Sequence, residues 1–373
     1  VAVKIEEGEK MKIIIFLLFA LPVAAQSVAV GNCQPHLVSY STISAAVAAA
    51  VSGGTVLVCP GTYPEQVVIT QPLTLRGLNL GTVGVKPVIT VPSGGLVLDS
   101  SGDATQLSVL GVVEASAFGP VNISNLVVDG TGAQFTCPTT TTGNLIGIGY
   151  TYASGTLTNV TAQNQAPGGC GEGISLTGDS AITSTVNIQN SSVLNFDGTG
   201  IYTNASDYTE EVEFFVNLTA DTISSANPLV YAGIETENTS GLIERSTVTV
   251  AGQYGIVIYN LWGDQYTQGN TVTGGLQAGI FSGASEYGYT NVIGNSVFNS
   301  SVGIATLDPI WTIIKANKIT NSSIAAINMD CSGNSMAEGN TIFGAPVGIE
   351  NATGNLYKNT FYNVTVQKTE CMQ

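Results

Sequence analysis

From residue 145 onward the apolar positions fall into short runs of three to five residues, with polar residues alternating between them and Gly, Asn or Ser closing each run. Period-two alternation of this kind predicts strands, and no segment among the repeats shows helical periodicity. The runs recur. A Gly-Ile dipeptide or a close variant begins at Gly147, Gly173, Gly200, Gly233, Gly255, Gly279, Gly303, Ala326 and Gly348, at spacings between 22 and 33 residues. About nine residues before most of these dipeptides stands Asn-x-Val or Asn-x-Ile, as at Asn270, Asn295, Asn317 and Asn340. A unit this small cannot bury its own apolar face, so the units must stack.

The period selects the solenoid. Leucine-rich repeats need a leucine pattern that is absent, propeller blades need roughly 40–45 residues, and hexapeptide coils need a strict period. A variable period with three short strands per coil predicts an all-β, right-handed parallel β-helix, with inward Ile and Val in register and Asn side chains laddered along the axis. Residues 54–369 give roughly a dozen coils, a rod about 60 Å long at about 4.8 Å per coil.

Ahead of the repeats, Ser41 is positioned to cap a short helix over 42–51 in which Ile43, Ala46, Val47 and Ala50 share one face, with Gly53 ending it. Such a helix would plug the open end of the solenoid. The stretch it opens, YSTISAAVAAAVSGGTVLVCPGTYPEQVVITQPLTLRG from Tyr40 to Gly77, resembles the start of pectin-lyase-like β-helix proteins, including pectin methylesterases and NosD-type periplasmic proteins. The detailed match covers about forty residues and bears on fold more than on activity. The resemblance implies a carbohydrate-acting relative, yet the catalytic motifs of that superfamily are missing. The polygalacturonase motifs N-T-D, D-D, G-H-G and R-I-K do not occur, nor does the Gln-Asp of the methylesterases. Pectate lyases need a base beside the uronate, and Arg76, Lys86, Arg245, Lys315, Lys318, Lys358 and Lys368 share no repeat position. No catalytic residue carries over from these families.

Met11 to Ala25 reads as an export signal, with Lys12 in the basic region, an apolar core from Ile13 to Leu21 and Val23-Ala24-Ala25 as a cleavage site. Residues 1–10 fit no part of such a signal and read as an upstream extension, leaving 26–373 as one β-helix domain. No later run reaches the length of a membrane span, so a secreted, extracellular, periplasmic or cell-surface protein is expected, and a monomer. The six cysteines suit an oxidising compartment, and pairing of sequence neighbours is the simplest connectivity: Cys33 with Cys59, Cys137 with Cys170, Cys331 with Cys371. No C-x2-C spacing suggests a metal, and no cofactor is expected beyond a possible bridging calcium.

Composition narrows the chemistry. Ten Lys and Arg against 26 Asp and Glu give a formal charge of −16, which the loss of residues 1–25 leaves unchanged, and this excludes nucleic acid as a partner. A single histidine, His36, closes off most imidazole chemistry. What remains is carboxylate and aromatic. Outward positions after each Gly-Ile form one column of Ser175, Tyr202, Glu235, Val257, Phe281, Ala305 and Asn328, and a second of Thr177, Asn204, Glu237, Tyr259, Gly283, Leu307 and Asp330. Tyr202, Tyr208, Tyr259 and Trp262 thereby become candidate sugar-stacking residues beside Glu235 and Glu237. Those two carboxylates lie i,i+2 on one strand face, roughly 6.5–7 Å apart at the backbone, near the separation used by inverting glycosidases. Three readings stay open: solvated charges on a β surface, binding of an extracellular polysaccharide, and hydrolysis or elimination through the carboxylates. A purely structural or adhesive rod is the reading with no ligand. Asn122, Asn159, Asn204, Asn217, Asn351 and Asn363 begin glycosylation sequons, which a chain this rich in Asn, Ser and Thr produces by composition.

Overall fold

A computed structural model describes residues 26–79, 85–97, 107–113, 119–137, 144–178, 183–205, 214–259, 263–285, 288–309, 311–331, 335–352 and 355–371. The expected export signal over 11–25 and the expected upstream extension over 1–10 lie outside these residues. The chain winds into a right-handed parallel β-helix with three parallel sheets, of 14, 12 and 12 strands. From Gly54–Val58 onward each coil contributes one strand to each sheet in turn, and Ser27–Val30 and Ser39–Tyr40 extend the first sheet ahead of them. In one central coil these are Ser240–Glu244 in the first sheet, Thr247–Val250 in the second and Tyr254–Tyr259 in the third.

The Gly-Ile signature marks entry into the third sheet. Ile146 pairs with Glu172 and Ile148 with Ile174, the intervening Gly147 and Gly173 standing outside the pairing, so strand parity shifts at the glycine. Gly173 and Ile174 both face the core. A Cβ on Gly173 would meet Val193 Cγ1 at 2.0 Å, and one on Gly255 would meet Val272 Cγ1 at 2.3 Å, so the approach of the second sheet to the third excludes any side chain there. The isoleucines Ile148, Ile174, Ile201, Ile234, Ile256, Ile280, Ile304, Ile327 and Ile349 that follow are wholly buried and in register.

The turn from the first sheet to the second is equally regular. A residue at positive φ comes first, such as Asn190, Ala220, Arg245, Ala316 or Lys358. The next residue enters an internal ladder. Asn270 N–H donates to Asn295 Oδ1 at 2.9 Å, Asn295 N–H to Asn317 Oδ1 at 2.8 Å, and Asn317 N–H to Asn340 Oδ1 at 2.9 Å. The recurring Asn-x-Val/Ile of the sequence is this ladder, and it satisfies buried backbone donors at a corner where no strand can.

The N-terminal cap forms over Ile43–Ala49. Its N-cap is Thr42 rather than Ser41, because Thr42 holds an extended backbone and its side chain accepts from Ala45 N–H at 3.2 Å. The helix ends at Ala50, ahead of Gly53, for the same reason: Ala50 is already extended. Glu65, from the P-G-T-Y-x-E stretch, accepts from the N–H groups of Ile43 and Ser44 at 2.7 and 2.9 Å, and Gln71 donates to the carbonyls of Val47 and Ala50 at 3.1 and 2.9 Å. Both helix ends are thus closed by the first coil. The cysteines pair as sequence neighbours, Cys33–Cys59, Cys137–Cys170 and Cys331–Cys371, with Cα separations of 5.8, 5.7 and 5.5 Å. Among the described residues no helix is long and apolar enough to cross a membrane.

Candidate functional site

The outward face of the third sheet carries the two sequence-derived columns. Ser175, Tyr202, Glu235, Val257, Phe281, Ala305 and Asn328 are direct neighbours from coil to coil, as are Thr177, Asn204, Glu237, Tyr259, Gly283 and Leu307. Asp330 leaves the second column, because the strand Ala325–Asn328 ends before it and it turns at positive φ. Tyr208 and Trp262 lie outside the described residues.

Glu235 is not a solvated charge. It is 7% exposed and takes one hydrogen bond, from Thr199 Oγ1 at 3.2 Å. Burial pushes its pKa up to about 8, with the neighbouring Glu237 and Glu172 adding to the rise, so at neutral pH it is mainly a carboxylic acid. Glu237, two residues on, receives the Tyr202 hydroxyl at 2.8 Å, and Asn204 Nδ2 donates to that same hydroxyl at 3.0 Å. Burial first, then the Glu237 charge, drives the Tyr202 phenol far above its usual value, so it stays protonated as a donor.

A third acid completes the cluster. Glu172 is 6% exposed, Asn144 Nδ2 donates to its Oε1, and its Oε2 has no hydrogen-bond partner. Burial pushes its pKa up to about 7, partly offset by Ser175 and Asn144. Sequence reasoning misses Glu172 because simple alternation back from Ile174 turns it inward, whereas the parity shift at Gly173 turns it out.

Beside the acids stands an aromatic wall. Tyr231 meets Tyr254 edge-on with ring centroids 5.5 Å apart, Tyr254 meets Phe281 at 5.4 Å, and Phe281 meets Tyr259 at 5.6 Å. The hydroxyls of Tyr231 and Tyr259 are 3.2 Å apart, and burial followed by that hydrogen bond and the charge of Glu235 raises the Tyr231 pKa. Of the predicted stacking residues, Tyr202 sits among the acids and Tyr259 in the wall. Tyr231 and Tyr254 are unforeseen because they precede Gly-Ile and fall in neither counted column. Among the described residues, no three His, Cys, Asp or Glu side chains are grouped so as to hold a metal ion.

No protein-family model matches the sequence. No curated protein sequence matches it either. Solved structures do. A GH136 lacto-N-biosidase from Eubacterium ramulus superposes with a TM-score of 0.59 at 10% identity, over 93% of this chain and 68% of that one. The Dettilon tailspike protein gives 0.54 at 17% identity, over 84% of this chain and 62% of its own. PfbA, a surface adhesin of Streptococcus pneumoniae, gives 0.54 at 17% identity, over 86% and 85%. At such identities the likeness is one of fold, and the pectin-lyase-like resemblance of the N-terminal stretch holds at that level: the chain has the architecture of right-handed parallel β-helix proteins.

Proposed function

We propose that this is an exported β-helix protein that engages an extracellular polysaccharide along the outer face of its third sheet. The observation that carries the reading is that the buried acids Glu172 and Glu235 and the half-buried Glu237 lie beside a wall of four aromatic rings. Ring faces present negative charge to the C–H groups of a sugar, while carboxyl and phenol groups take its hydroxyls. The acidic surface disfavours a uronate chain. The roles named for structural neighbours, a biosidase, a tailspike and an adhesin, accord with a polysaccharide ligand. The test is a glycan array with wild type and Tyr259→Ala: a ligand lost or weakened severalfold in the variant supports the reading, and equal profiles refute it.

A hydrolytic reading of the same face rests on one further feature, Glu235, whose pKa burial raises to about 8, two residues before Glu237 on one strand face. Glu235 would give its proton to the glycosidic oxygen as the bond to the anomeric carbon breaks. Water would add to that carbon and lose its proton to Glu237. Reducing-end release from the array ligand, abolished in Glu235→Gln while binding persists, is the expected result. Absorbance from an unsaturated uronide would instead indicate elimination, and neither product would leave a binding protein.

A further inference from the structure

We infer that the outer face of the first sheet carries a second saccharide-binding surface, for an uncharged polysaccharide, separate from the acid cluster of the third sheet. The two faces meet at a corner, since Asn238 at positive φ turns the chain from Glu237 to Ser240. On the first sheet, a cleft of about 610 Å³ is walled by Phe215, Leu242 and Tyr266, with Asn217, Gln268 and Asp264 among its polar lining. The register Asn217↔Leu242↔Tyr266 makes this lining continuous over three coils.

The surface continues beyond the cleft. Asp264 Oδ1 accepts from Tyr289 N–H at 3.1 Å, and the Tyr289 ring lies 6.0 Å from that of Trp311 in the next coil. Tyr266, Tyr289 and Trp311 are 42%, 45% and 46% exposed, on a protein whose other large rings around the acids are half-buried. Three exposed rings on three successive coils are not needed to fill the core, which is packed from the inward face. From the strand of Phe215 to that of Thr312 there are five coils, a track of about 19 Å at about 4.8 Å per coil, suited to a short run of sugar units laid along the axis.

The polar groups fix the ligand's charge class. Asn217 Nδ2 donates to Asn187 Oδ1 at 2.9 Å and Gln268 Nε2 to Glu244 Oε2 at 3.3 Å, so each carboxamide keeps donor and acceptor capacity for hydroxyls. Among the described residues, Asp264 is the charged one in the lining, and no cation lines the cleft to meet a uronate or sulfate. Rings, carboxamides and one acid describe a site for a neutral polyol.

The test uses protein made in a bacterial host, so that Asn217 of the sequon is unmodified, in native gels containing hydroxyethyl cellulose, galactomannan or polygalacturonate. At least one neutral gel should retard the wild type, and Tyr266→Ala and Trp311→Ala should each weaken retardation about fivefold, the scale of one lost ring contact. With two tryptophans in the chain, the emission lost in Trp311→Ala reports on Trp311, and that component should shift on adding the retarding polysaccharide. Both ring variants are at exposed sites, and matching melting curves will show that they fold. No retardation in either neutral gel, unchanged retardation in both variants, or equal loss from polygalacturonate overturns the inference. Tyr259→Ala in the same gels reads the third-sheet face, so the two surfaces fail independently.

Discussion

The Tyr202 hydroxyl donates to Glu237 Oε2 at 2.8 Å from the neighbouring strand, and Asn204 Nδ2 orients that hydroxyl from the other side at 3.0 Å. The phenol is therefore committed to the carboxylate. Removing it by Tyr202→Phe should cost about 1.5–3 kcal/mol, the range for a hydrogen bond to a charged group, because water reaches this half-buried pair poorly. A double-mutant cycle with Glu237→Gln in denaturant measures the coupling. A coupling near zero would mean that the pair is solvated and that Tyr202 does not position Glu237.

Buried acids set the pH dependence of stability. Burial pushes Glu235 up to about 8 and Glu172 and Asp221 up to about 7, all far above their values in an unfolded chain. Between about pH 4 and pH 8 the native state consequently binds more protons than the unfolded state, and stability falls as pH rises through that window. Asp129 acts outside it: burial raises its pKa, but hydrogen bonds from Thr131, Asn164 and Gln163 outweigh burial and hold it low. Melting temperature should decline from pH 5 to pH 8, and less steeply in Glu235→Gln. A melting temperature that climbs over this range would contradict the assignment.

How much of this was readable in advance follows from the physics of the strand. Tyr202, Glu235 and Val257 fall in one column because coils stack in register on buried Ile201, Ile234 and Ile256, so counting from Gly-Ile is enough. Asn270, Asn295, Asn317 and Asn340 announce their ladder by spacing alone. Glu172 and Tyr254 are hidden by the parity shift at the glycine that follows each of them. The protonation of Glu235 is invisible for a different reason: it depends on desolvation by the neighbouring coils, which no single repeat records.

Turn residues offer a test of backbone strain. Ala220 and Ala316 sit at φ 56° and 55°, at the corner where other coils place Gly269, Gly294 and Gly339. An L-residue there costs roughly 1–2 kcal/mol, and glycine returns about half of that through its freedom in the unfolded chain. Ala220→Gly and Ala316→Gly should each stabilise by about 0.5–1 kcal/mol in denaturant titration. Destabilisation by either would show that the methyl group packs against the adjoining coil strongly enough to outweigh the strain.

Asp221 occupies a rung where later coils place asparagine. It is 2% exposed, its Oδ1 accepts from Ser191 N–H at 2.7 Å, and its Oδ2 has no partner. The asparagine rungs show what is missing. Asn295 Nδ2 donates to Thr267 O, Asn317 Nδ2 to Val292 O and Asn340 Nδ2 to Ile314 O, each reaching the residue that pairs, one coil back, with the position three before itself. For rung 221 that position is Leu218, whose partner is Ile188, so an asparagine would donate to Ile188 O. Asp221→Asn supplies this donor at every pH, whereas the wild type can donate only while protonated, below about pH 7. The variant should therefore match the wild type near pH 5 and exceed it above pH 8 by about 1 kcal/mol or more, one hydrogen bond gained and one buried charge removed. Paired melts at the two pH values decide it: equal stability at both would mean that the ionised Asp221 finds compensation which the ladder geometry does not provide.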